Sequence, residues 1–479
     1  MVLLDCIDAR EACQSVESSG EPGRAGRRAP VCYNATGRRS LTPRLQHIRA
    51  PLEAVKGSLD GAALYALCAL RRRARTQSLR VYLVGGPVRD VLLGTPIKDL
   101  DFVVEGDAPE VARQLAEELD ARVVVHSRFG TATVVLGAGG IDLVTARRED
   151  YPRPAALPVV SPGSIYDDLA RRDFSINALA LPLAEVRPKV LDPHGGLDDL
   201  RRGVLRVLHS KSFADDPTRI LRAVRYEGRF GFHLEDGTLS LLESAVAQGN
   251  LGLLTGDRLR HELARILQED RPEPVLQRAW GLGVLASIHP LLGDEGAPAR
   301  LAALAGSEVN AGGVPPLPAP GGIDPLAYLG SLVYPLSGGD GEALINRLNL
   351  PATWAEVVRD TIRLRELEPE LAVPDMERSR LFHLVEGFSQ TAALAVSRVT
   401  ASAPVAKRLS EYWNELSFVT PALNGGDLLA MGVPEGPLVG QMLRELQDAR
   451  LDRRVVTADE ERRLVRQSLA RLGGRPDDG

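Results

Sequence analysis

The chain has 479 residues, which is enough for two to four domains with a sizeable core. Its 44% hydrophobic and 25% charged residues are ordinary for a soluble globular protein, and the low aromatic content of 4% favours helical packing over a β-sandwich. A formal net charge of -5 argues against a protein that coats nucleic acid by bulk electrostatics, but it leaves room for a local basic surface.

The cysteine and hydropathy patterns indicate the cellular compartment of the protein. The four cysteines show neither CxxC pairs nor the spacing of zinc ligands, so we expect no disulfide and no structural metal. No apolar run approaches the length of a membrane span, and the first residues are too acidic for a secretory signal. The sequence therefore predicts a cytoplasmic protein without a membrane partner, and it leaves the oligomeric state open.

A basic segment runs from Gly23 to Pro51. It contains seven arginines and no acidic residue, together with several Gly, Pro, Ser and Thr. Such a segment is typical of a disordered terminal extension, and this is the interpretation we favour for residues 1–51. The alternative is a basic arm that contacts RNA phosphates.

Short strands and helices alternate through residues 52–205. Helical patterns cover 52–75, 88–93 and 108–119, and short apolar runs predict strands at 81–84, 101–104, 122–126, 131–136 and 141–144. This alternation predicts an α/β or α+β domain.

The strand patterns end at about residue 205. Helical patterns follow, for example at 217–230 and 258–267, and the region 325–470 is helical with short turns. A Gly/Pro-rich segment at 306–324 predicts a long loop or linker.

The most informative stretch is a Gly-Gly turn followed by two aspartates. Gly85 and Gly86 come directly after a buried strand, where the missing Cβ atoms let backbone N–H groups approach an anion. Asp99 and Asp101 lie two residues apart at the start of an apolar strand, so both carboxylates face one side. Two like charges on one face need a cation, and such hard oxygen ligands suit Mg²⁺ bound together with phosphates. The two elements together predict a metal and triphosphate site, although each alone is a weak signal. Neither GxGxxG nor a P-loop pattern is present.

A third carboxylate is usual in two-metal chemistry. Asp142 is the best candidate, because it lies on a neighbouring predicted strand. A strand-edge aspartate with no metal role is an equally good interpretation.

A second charged stretch lies at 168–178. The adjacent Arg171 and Arg172 could clamp a triphosphate bidentately, and Asn177 could hydrogen-bond a ribose hydroxyl. The alternative is a charged helix start with Asp173 as its cap.

The helix predicted at 217–230 begins directly after an acidic pair. Asp216 and Arg219 would share one face of it, and a carboxylate beside a guanidinium can read the edge of a base. An ordinary acidic cap explains Asp216 equally well, but it leaves Arg219 unexplained. A further pair, Arg258 and Glu262, is typical of a helix-surface or packing salt bridge.

In this order, these stretches resemble the class II tRNA nucleotidyltransferase and bacterial poly(A) polymerase family. The matching blocks are Gly85–Asp90, Asp99–Asp101, Arg171–Ala178, Asp215–Tyr226, Arg258–Leu267 and Leu423–Gly440. The resemblance covers roughly residues 76–470. The family often has Glu where this chain has Asp215, which is a conservative departure.

The resemblance implies an α+β architecture: a polymerase-β-like nucleotidyltransferase head domain followed by an all-helical neck, body and tail. We place the head at 52–205, the neck with its nucleotide-selecting helix at 206–272, and the RNA-binding body and tail at 273–479. The expected activity is transfer of a nucleotide to the 3′ end of tRNA, held by its acceptor arm, with release of pyrophosphate.

The resemblance also implies roles for single residues. Asp99 and Asp101 would be catalytic ligands of Mg²⁺, with Asp142 as a looser match, and Asp216 with Arg219 would form the protein template that selects CTP and then ATP. The expected nucleotide-binding residues are Gly85, Gly86, Arg89, Arg171, Arg172, Asp173, Asn177, Asp216, Arg219, Arg222 and Arg225.

The sequence leaves three functions open. The favoured one is complete CCA addition from CTP and ATP. The second is a narrower activity within the family, adding only CC, only A, or a poly(A) tail. The third is a non-catalytic RNA-binding protein on the same fold, which the presence of both Asp99 and Asp101 disfavours.

Overall fold

The computed structural model of this protein describes residues 51–126, 130–137, 139–306 and 323–473. The basic segment, apart from Pro51, and most of the predicted linker at 306–324 lie outside these ranges. The chain divides into two compact units between Leu254 and Thr255. This division falls inside the predicted neck, and the predicted domain boundaries at 205 and 272 stay predictions.

The first unit combines a mixed sheet with surrounding helices. Its strands are β1 (Val81–Val84), β2 (Leu100–Val104), β3 (Arg122–His126), β4 (Thr131–Leu136), β5 (Gly139–Thr145), β6 (Arg147–Asp150), β7 (Val159–Pro162), β8 (Ala180–Pro182), β9 (Val204–Leu205) and β10 (His233–Leu234). Its helices are α1 (Pro51–Lys56), α2 (Gly61–Thr76), α3 (Gly86–Leu93), α4 (Ala108–Glu118), α5 (Ile165–Ala170), α6 (Gly196–Arg202), α7 (Ser212–Asp215), α8 (Thr218–Phe230) and α9 (Asp236–Ala247), with 3₁₀ turns at Ser175–Asn177 and Asn250–Leu253.

The main sheet has the strand order β3-β4-β5-β2-β1-β8. All neighbouring strands in it are antiparallel except β2 and β5, which run parallel. The alternating side chains of the central strands bury Leu83, Phe102 and Leu143 completely. Helix α4 covers this sheet with its apolar stripe, which includes the fully buried Leu115.

Three local features differ from the sequence-based predictions. The helix predicted over 52–75 is two helices, because Asp60 caps a new one by accepting a hydrogen bond from the Ala63 N–H at 3.1 Å. The hairpin of β6 and β7 was not predicted, since neither strand alternates apolar and polar residues: β6 consists of charged residues, and β7 has two adjacent valines before Ser-Pro. Strand β10 follows the region where strands were expected to end, and its two residues are too few to give a periodic signal.

The described part of the second unit is built from helices. They are α10 (Gly256–Leu267), α11 (Pro272–Gly281), α12 (Val284–Ile288), α13 (Ala297–Ala305), α14 (Pro325–Val333), α15 (Gly338–Leu348), α16 (Ala352–Glu366), α17 (Glu368–Leu371), α18 (Arg378–Val385), α19 (Gln390–Val399), α20 (Ala403–Asn414), α21 (Gly425–Ala430), α22 (Pro437–Leu451) and α23 (Ala458–Gly473), with 3₁₀ turns at Pro290–Gly293 and Leu416–Phe418. Across the described ranges, no helix has both the length and the apolar content needed to cross a membrane.

Apolar clusters hold this second unit together. One joins α16 to α20 around residues such as Leu364, Leu409 and Leu416, and the last cluster joins α21 to α23 around Leu428 and Leu446. The last three helices therefore have an apolar core of their own.

Candidate active site

Two aspartates lie side by side on the parallel strand pair of the main sheet. Asp101 on β2 is in register with Asp142 on β5, and residues paired in this way point to the same face. Asp99 lies just before β2 begins, at an exposed position. Burial raises the pKa of Asp101 to about 6, and the negative charges of Asp142 and Asp99 act in the same direction. The structure thus pairs Asp101 with Asp142, and Asp99 is near enough for its charge to act on Asp101.

The carboxylate of Asp142 has a partner that the sequence did not reveal. Thr133 lies opposite Asp142 on the antiparallel strand β4, and its hydroxyl donates a hydrogen bond to Asp142 Oδ1 at 2.5 Å. This bond fixes the orientation of a carboxylate that would otherwise rotate freely. Cross-strand pairing is the signal that identifies Thr133, and it requires the register of β4 and β5.

The chemistry of these donors suits a hard divalent cation. Within the described ranges, no three Asp, Glu, His or Cys side chains are arranged closely enough to hold a metal ion by themselves. Mg²⁺ commonly binds through one or two carboxylates, with waters and substrate phosphates supplying the other oxygens. Burial is the main cause of the raised pKa of Asp101, and the charges of Asp142 and Asp99 add to it while that of Arg172 opposes it.

The Gly-Gly turn lies next to a guanidinium that faces the carboxylates. Gly85 has a φ of +70° and precedes α3, and a Cβ atom at Gly85 would come within 2.5 Å of Arg172 Nη1. Only glycine therefore allows both this turn and this position of Arg172. The positive charge of Arg172 counteracts the rise in the pKa of Asp101, so Arg172 is close to both the turn and the carboxylates.

A completely buried carboxylate orients Arg172 and its neighbour Arg171. Asp168 Oδ1 accepts from Arg171 Nη2 at 2.6 Å, and Asp168 Oδ2 accepts from Arg172 Nη2 at 3.0 Å. Burial by itself would raise the pKa of Asp168, but the two guanidinium groups outweigh it and the pKa is lowered. Arg171 also donates to Glu149 Oε1 at 3.0 Å. Asp168 and Glu149 are site residues that the sequence-based prediction did not include.

The expected template residues lie at the start of α8. Asp216 Oδ1 accepts from the backbone N–H of Thr218 at 3.0 Å, so Asp216 does act as the ordinary helix cap considered above. Arg219 is buried, with Nη1 donating to Ser212 Oγ at 2.6 Å and Nη2 donating to the Arg171 carbonyl at 2.7 Å. Arg219 is thereby fixed against the segment that carries the arginine pair.

Of the remaining predicted nucleotide-binding side chains, those of Arg89, Asp173, Asn177 and Arg225 are buried and that of Arg222 is half-buried. Arg89 donates to Asn177, Asn177 donates to Asp173, and Arg222 donates to Asp173. Burial opposes ionisation of Asp173, yet the Arg222 and Asn177 contacts lower its pKa to about 2. The guanidinium of Arg225 lies 4.7 Å from the centre of the Tyr226 ring. Gly86 is the first residue of α3.

The pair Arg258 and Glu262 belongs to the second unit. Glu262 is buried on α10 and accepts from Arg265 Nη1 at 3.2 Å. An i, i+3 contact within one helix is consistent with the packing role expected for Glu262.

Two family descriptions match separate parts of the chain. Residues 81–206 match the family described as the poly A polymerase head domain, and residues 231–294 match the probable RNA and SrmB-binding site of polymerase A. The first match contains the whole carboxylate site, so the head is of the nucleotidyltransferase class.

Relatives extend the match over most of the chain. A CC-adding tRNA nucleotidyltransferase of Deinococcus radiodurans is 34% identical over 85% of this chain and 93% of its own length. An A-adding tRNA nucleotidyltransferase of Geobacter sulfurreducens is 36% identical over 81% of this chain, although the match spans only 45% of that longer protein. A structure of a CCA-adding enzyme in an apo form is similar with a TM-score of 0.74 and 31% identity, covering 88% of this chain and 99% of the other. The chain belongs to the tRNA nucleotidyltransferase family.

Further structures of this family contain substrates. A Thermotoga maritima CCA-adding enzyme complexed with tRNA has a TM-score of 0.71 and 29% identity, covering 88% of this chain and 99% of its own. CCA-adding enzymes complexed with ATP and with CTP align with TM-scores of 0.70 and 0.71.

Proposed function

We propose that this protein is a cytoplasmic enzyme that adds CCA to the 3′ end of tRNA, using CTP and ATP as substrates and Mg²⁺ as cofactor. The observation that carries the proposal is the placement of Asp101 beside Asp142, with Arg172 and the Gly85 turn next to them. Membership of the family, and relatives described as adding CC, A or CCA, support the choice of tRNA as the acceptor.

The proposed reaction joins the RNA to the α-phosphorus of a nucleoside triphosphate. The 3′-hydroxyl oxygen forms the new bond to that phosphorus, the bond to the bridging oxygen breaks, and pyrophosphate leaves. Asp99, Asp101 and Asp142 would hold Mg²⁺, which supplies charge that lowers the pKa of the attacking hydroxyl and neutralises the leaving group. No covalent intermediate with the protein is needed.

The side chains around the carboxylates would bind the triphosphate and the base of the incoming nucleotide. Arg171 and Arg172, fixed by Asp168, would bind the triphosphate through forked donors, and the N–H groups at Gly85 and Gly86 would add to this. Asp216 and Arg219 would pair with the edge of the incoming base, with the hydrogen bonds from Arg219 to Ser212 and to the Arg171 carbonyl setting the direction of its guanidinium.

The helical unit would supply the RNA-binding surface. We propose that the body and tail hold the acceptor arm of tRNA by its shape and phosphates, without reading its sequence. The match to a probable RNA-binding region covers residues 231–294, so it supports RNA binding at the start of the body and in the predicted neck before it.

The proposal is tested by nucleotide incorporation. The purified protein is incubated with Mg²⁺ and two tRNA transcripts, one lacking CCA and one ending in CC, with labelled CTP and ATP singly and together. We expect two C and one A on the first transcript and one A on the second.

Asp101→Ala should abolish incorporation while tRNA binding is kept, and Asp216→Ala should weaken the choice between nucleotides. Absence of incorporation under every condition would overturn the enzymatic function.

A narrower specificity is the second candidate, and particular similarities favour it. The A-adding relative of Geobacter sulfurreducens and the CC-adding relative of Deinococcus radiodurans are both about as similar to this chain as the CCA-adding structures are. The same assay separates these cases. Incorporation of A only on the transcript ending in CC indicates A addition, two C without A indicates CC addition, and a long A tract indicates a poly(A) polymerase.

A further inference from the structure

The aromatic ring of Tyr226 is surrounded by three guanidinium groups. Those of Arg89, Arg222 and Arg225 lie 5.6, 5.4 and 4.7 Å from the centre of the ring. Tyr226 itself is buried, at 6% exposure, and its ring also contacts Phe174 and Phe230. Cation–π attraction is strongest where water is excluded, so each of these contacts contributes to holding the ring in place.

Hydrogen bonds close a circuit around the same ring. Arg89 Nη1 donates to Asn177 Oδ1 at 2.5 Å, and Asn177 Nδ2 donates to Asp173 Oδ1 at 2.9 Å. The other oxygen of Asp173 accepts from Arg222 Nη2 at 2.5 Å, and this nitrogen also donates to the Tyr226 hydroxyl at 3.0 Å. The contact between the Tyr226 ring and the Arg89 guanidinium, which lies 5.6 Å from the centre of the ring, completes the circuit.

This circuit joins the separate parts of the proposed site. Arg89 lies on α3, the helix that begins at the Gly-Gly turn. Asp173 and Asn177 closely follow the arginine pair. Arg222 and Tyr226 lie on α8, whose first turn contains Arg219. A displacement of α8 relative to the turn would therefore break contacts of Tyr226.

We propose that Tyr226 is a positioning residue that fixes α8 against the triphosphate-binding turn and so maintains the choice of nucleotide. The inference rests on the proposed function. Hydrogen-bond readout of a base requires donors and acceptors placed to within a fraction of an ångström, whereas binding of a triphosphate by charge tolerates more movement. Loss of the Tyr226 contacts should therefore lower selectivity more than turnover.

The test compares Tyr226→Phe with the native protein in the incorporation assay. The variant keeps the ring and removes only the hydroxyl, which accepts from Arg222 one turn earlier on α8 and is joined through Arg222 to Asp173 outside this helix. We expect the ratio of kcat/KM for the correct over an incorrect nucleotide, ATP over GTP or CTP over UTP, to fall by roughly tenfold, since small misplacements in a site have effects of this order. The kcat for the correct nucleotide should stay within about twofold. Tyr166→Phe is the matched control, because Tyr166 is 58% exposed in the same unit.

Arg222→Lys provides an independent second variant, since it keeps the charge but loses the fork that joins Asp173 to Tyr226. The double variant should be no less selective than the worse single variant, because both substitutions break one chain of contacts. Thermal unfolding checks that each variant is folded, and if Tyr226→Phe is not, Arg222→Lys supplies the comparison alone.

The outcomes separate the two proposals. A native enzyme that selects nucleotides, together with folded Tyr226→Phe and Arg222→Lys variants of unchanged selectivity, overturns the role of Tyr226 only. A uniform loss of turnover without loss of selectivity also overturns it, since that result indicates a merely structural residue. A native protein that incorporates nothing overturns the proposed function and this inference together.

Discussion

Asp101 and Asp142 are far apart in the chain, and strand pairing alone makes them neighbours. Their positions within one face of the sheet concentrate negative charge, and burial keeps water from screening it. The guanidinium of Arg172 offsets part of this charge, and the proposed Mg²⁺ would offset more of it. The hydroxyl of Thr133 adds a fixed direction to one of these carboxylates.

Thr133→Val should reduce activity without removing any of the proposed metal ligands. Valine keeps the shape and the β-propensity of threonine but cannot donate to Asp142, so that carboxylate loses its fixed orientation. Substitution of residues that orient metal ligands typically costs about 10- to 100-fold in affinity or activity. We expect a loss in this range, measured as kcat for nucleotide incorporation and as the Mg²⁺ concentration giving half-maximal rate.

Thr133→Ser is the control, because it keeps the hydroxyl and should retain most of the activity. A Thr133→Val variant with native kcat and native Mg²⁺ dependence would show that the hydrogen bond to Asp142 does not contribute to activity.

The sequence predicted the single residues unequally. Asp99 and Asp101 could be identified because their spacing and the preceding Gly-Gly turn are local. Asp142 could only be suggested, since its neighbourhood depends on the parallel register of β2 and β5. Thr133 was missed for the same reason.

The proposed site includes the starts of helices α3 and α8 and the parallel strands β2 and β5. The most regular elements agree with the sequence pattern, for example β1 and β4 at the predicted residues and α4 one residue shorter. Strands β6 and β7 were missed because β6 consists of charged residues and β7 begins with two adjacent valines, so neither has faces that hydropathy distinguishes. The turn before α3 is the element on which the proposed triphosphate site depends, since the backbone conformation of Gly85 is one that residues with a Cβ rarely adopt.

Gly85→Ala tests that dependence. The new Cβ atom would come within 2.5 Å of Arg172 Nη1 and would also force alanine into a positive φ. A φ of +70° with a ψ of −124° lies outside the left-handed helical region, so the conformational penalty alone is about 1–3 kcal/mol of unfolding free energy. Displacement of Arg172 should in addition raise the KM for the nucleoside triphosphate by about tenfold or more.

Gly249→Ala is a control for the positive φ alone. Gly249 has the same φ of +70°, but its ψ of 23° lies in the left-handed helical region, whereas the ψ of Gly85 is −124°. Among the described residues, no atom lies within 4 Å of the point that an alanine Cβ would occupy at Gly249. Gly85→Ala should lose more stability than Gly249→Ala in urea unfolding, because residues with a Cβ tolerate the left-handed region better than the conformation of Gly85, and only Gly85→Ala should change the KM. Equal KM values for the two variants would contradict the contact with Arg172.

In the whole molecule, the proposed chemistry lies in the first unit, whereas the region matched to RNA binding begins at residue 231 in the first unit and continues into the second. All the proposed catalytic and nucleotide-binding residues precede Leu254, where the first unit ends. The last helices of the second unit have their own apolar core, and a charged residue lies buried beside it. Glu461 on α23 is completely buried and accepts hydrogen bonds from the backbone N–H groups of Ala422 and Leu423 and from Arg450 Nη1, the last at 2.6 Å.

Glu461→Gln should therefore impair tRNA binding without affecting nucleotide binding. Glutamine is nearly the same size, but it is neutral and leaves Arg450 without its buried counter-charge, which typically costs about 3 kcal/mol of unfolding free energy. We expect a lower melting temperature and a higher KM for tRNA, while the KM for ATP stays unchanged. Asp459→Asn is the control on the same helix, because Asp459 is 85% exposed and its contact with Arg462 should contribute little. If Glu461→Gln raised the KM for ATP as much as that for tRNA, the proposed division of labour between the two units would be wrong.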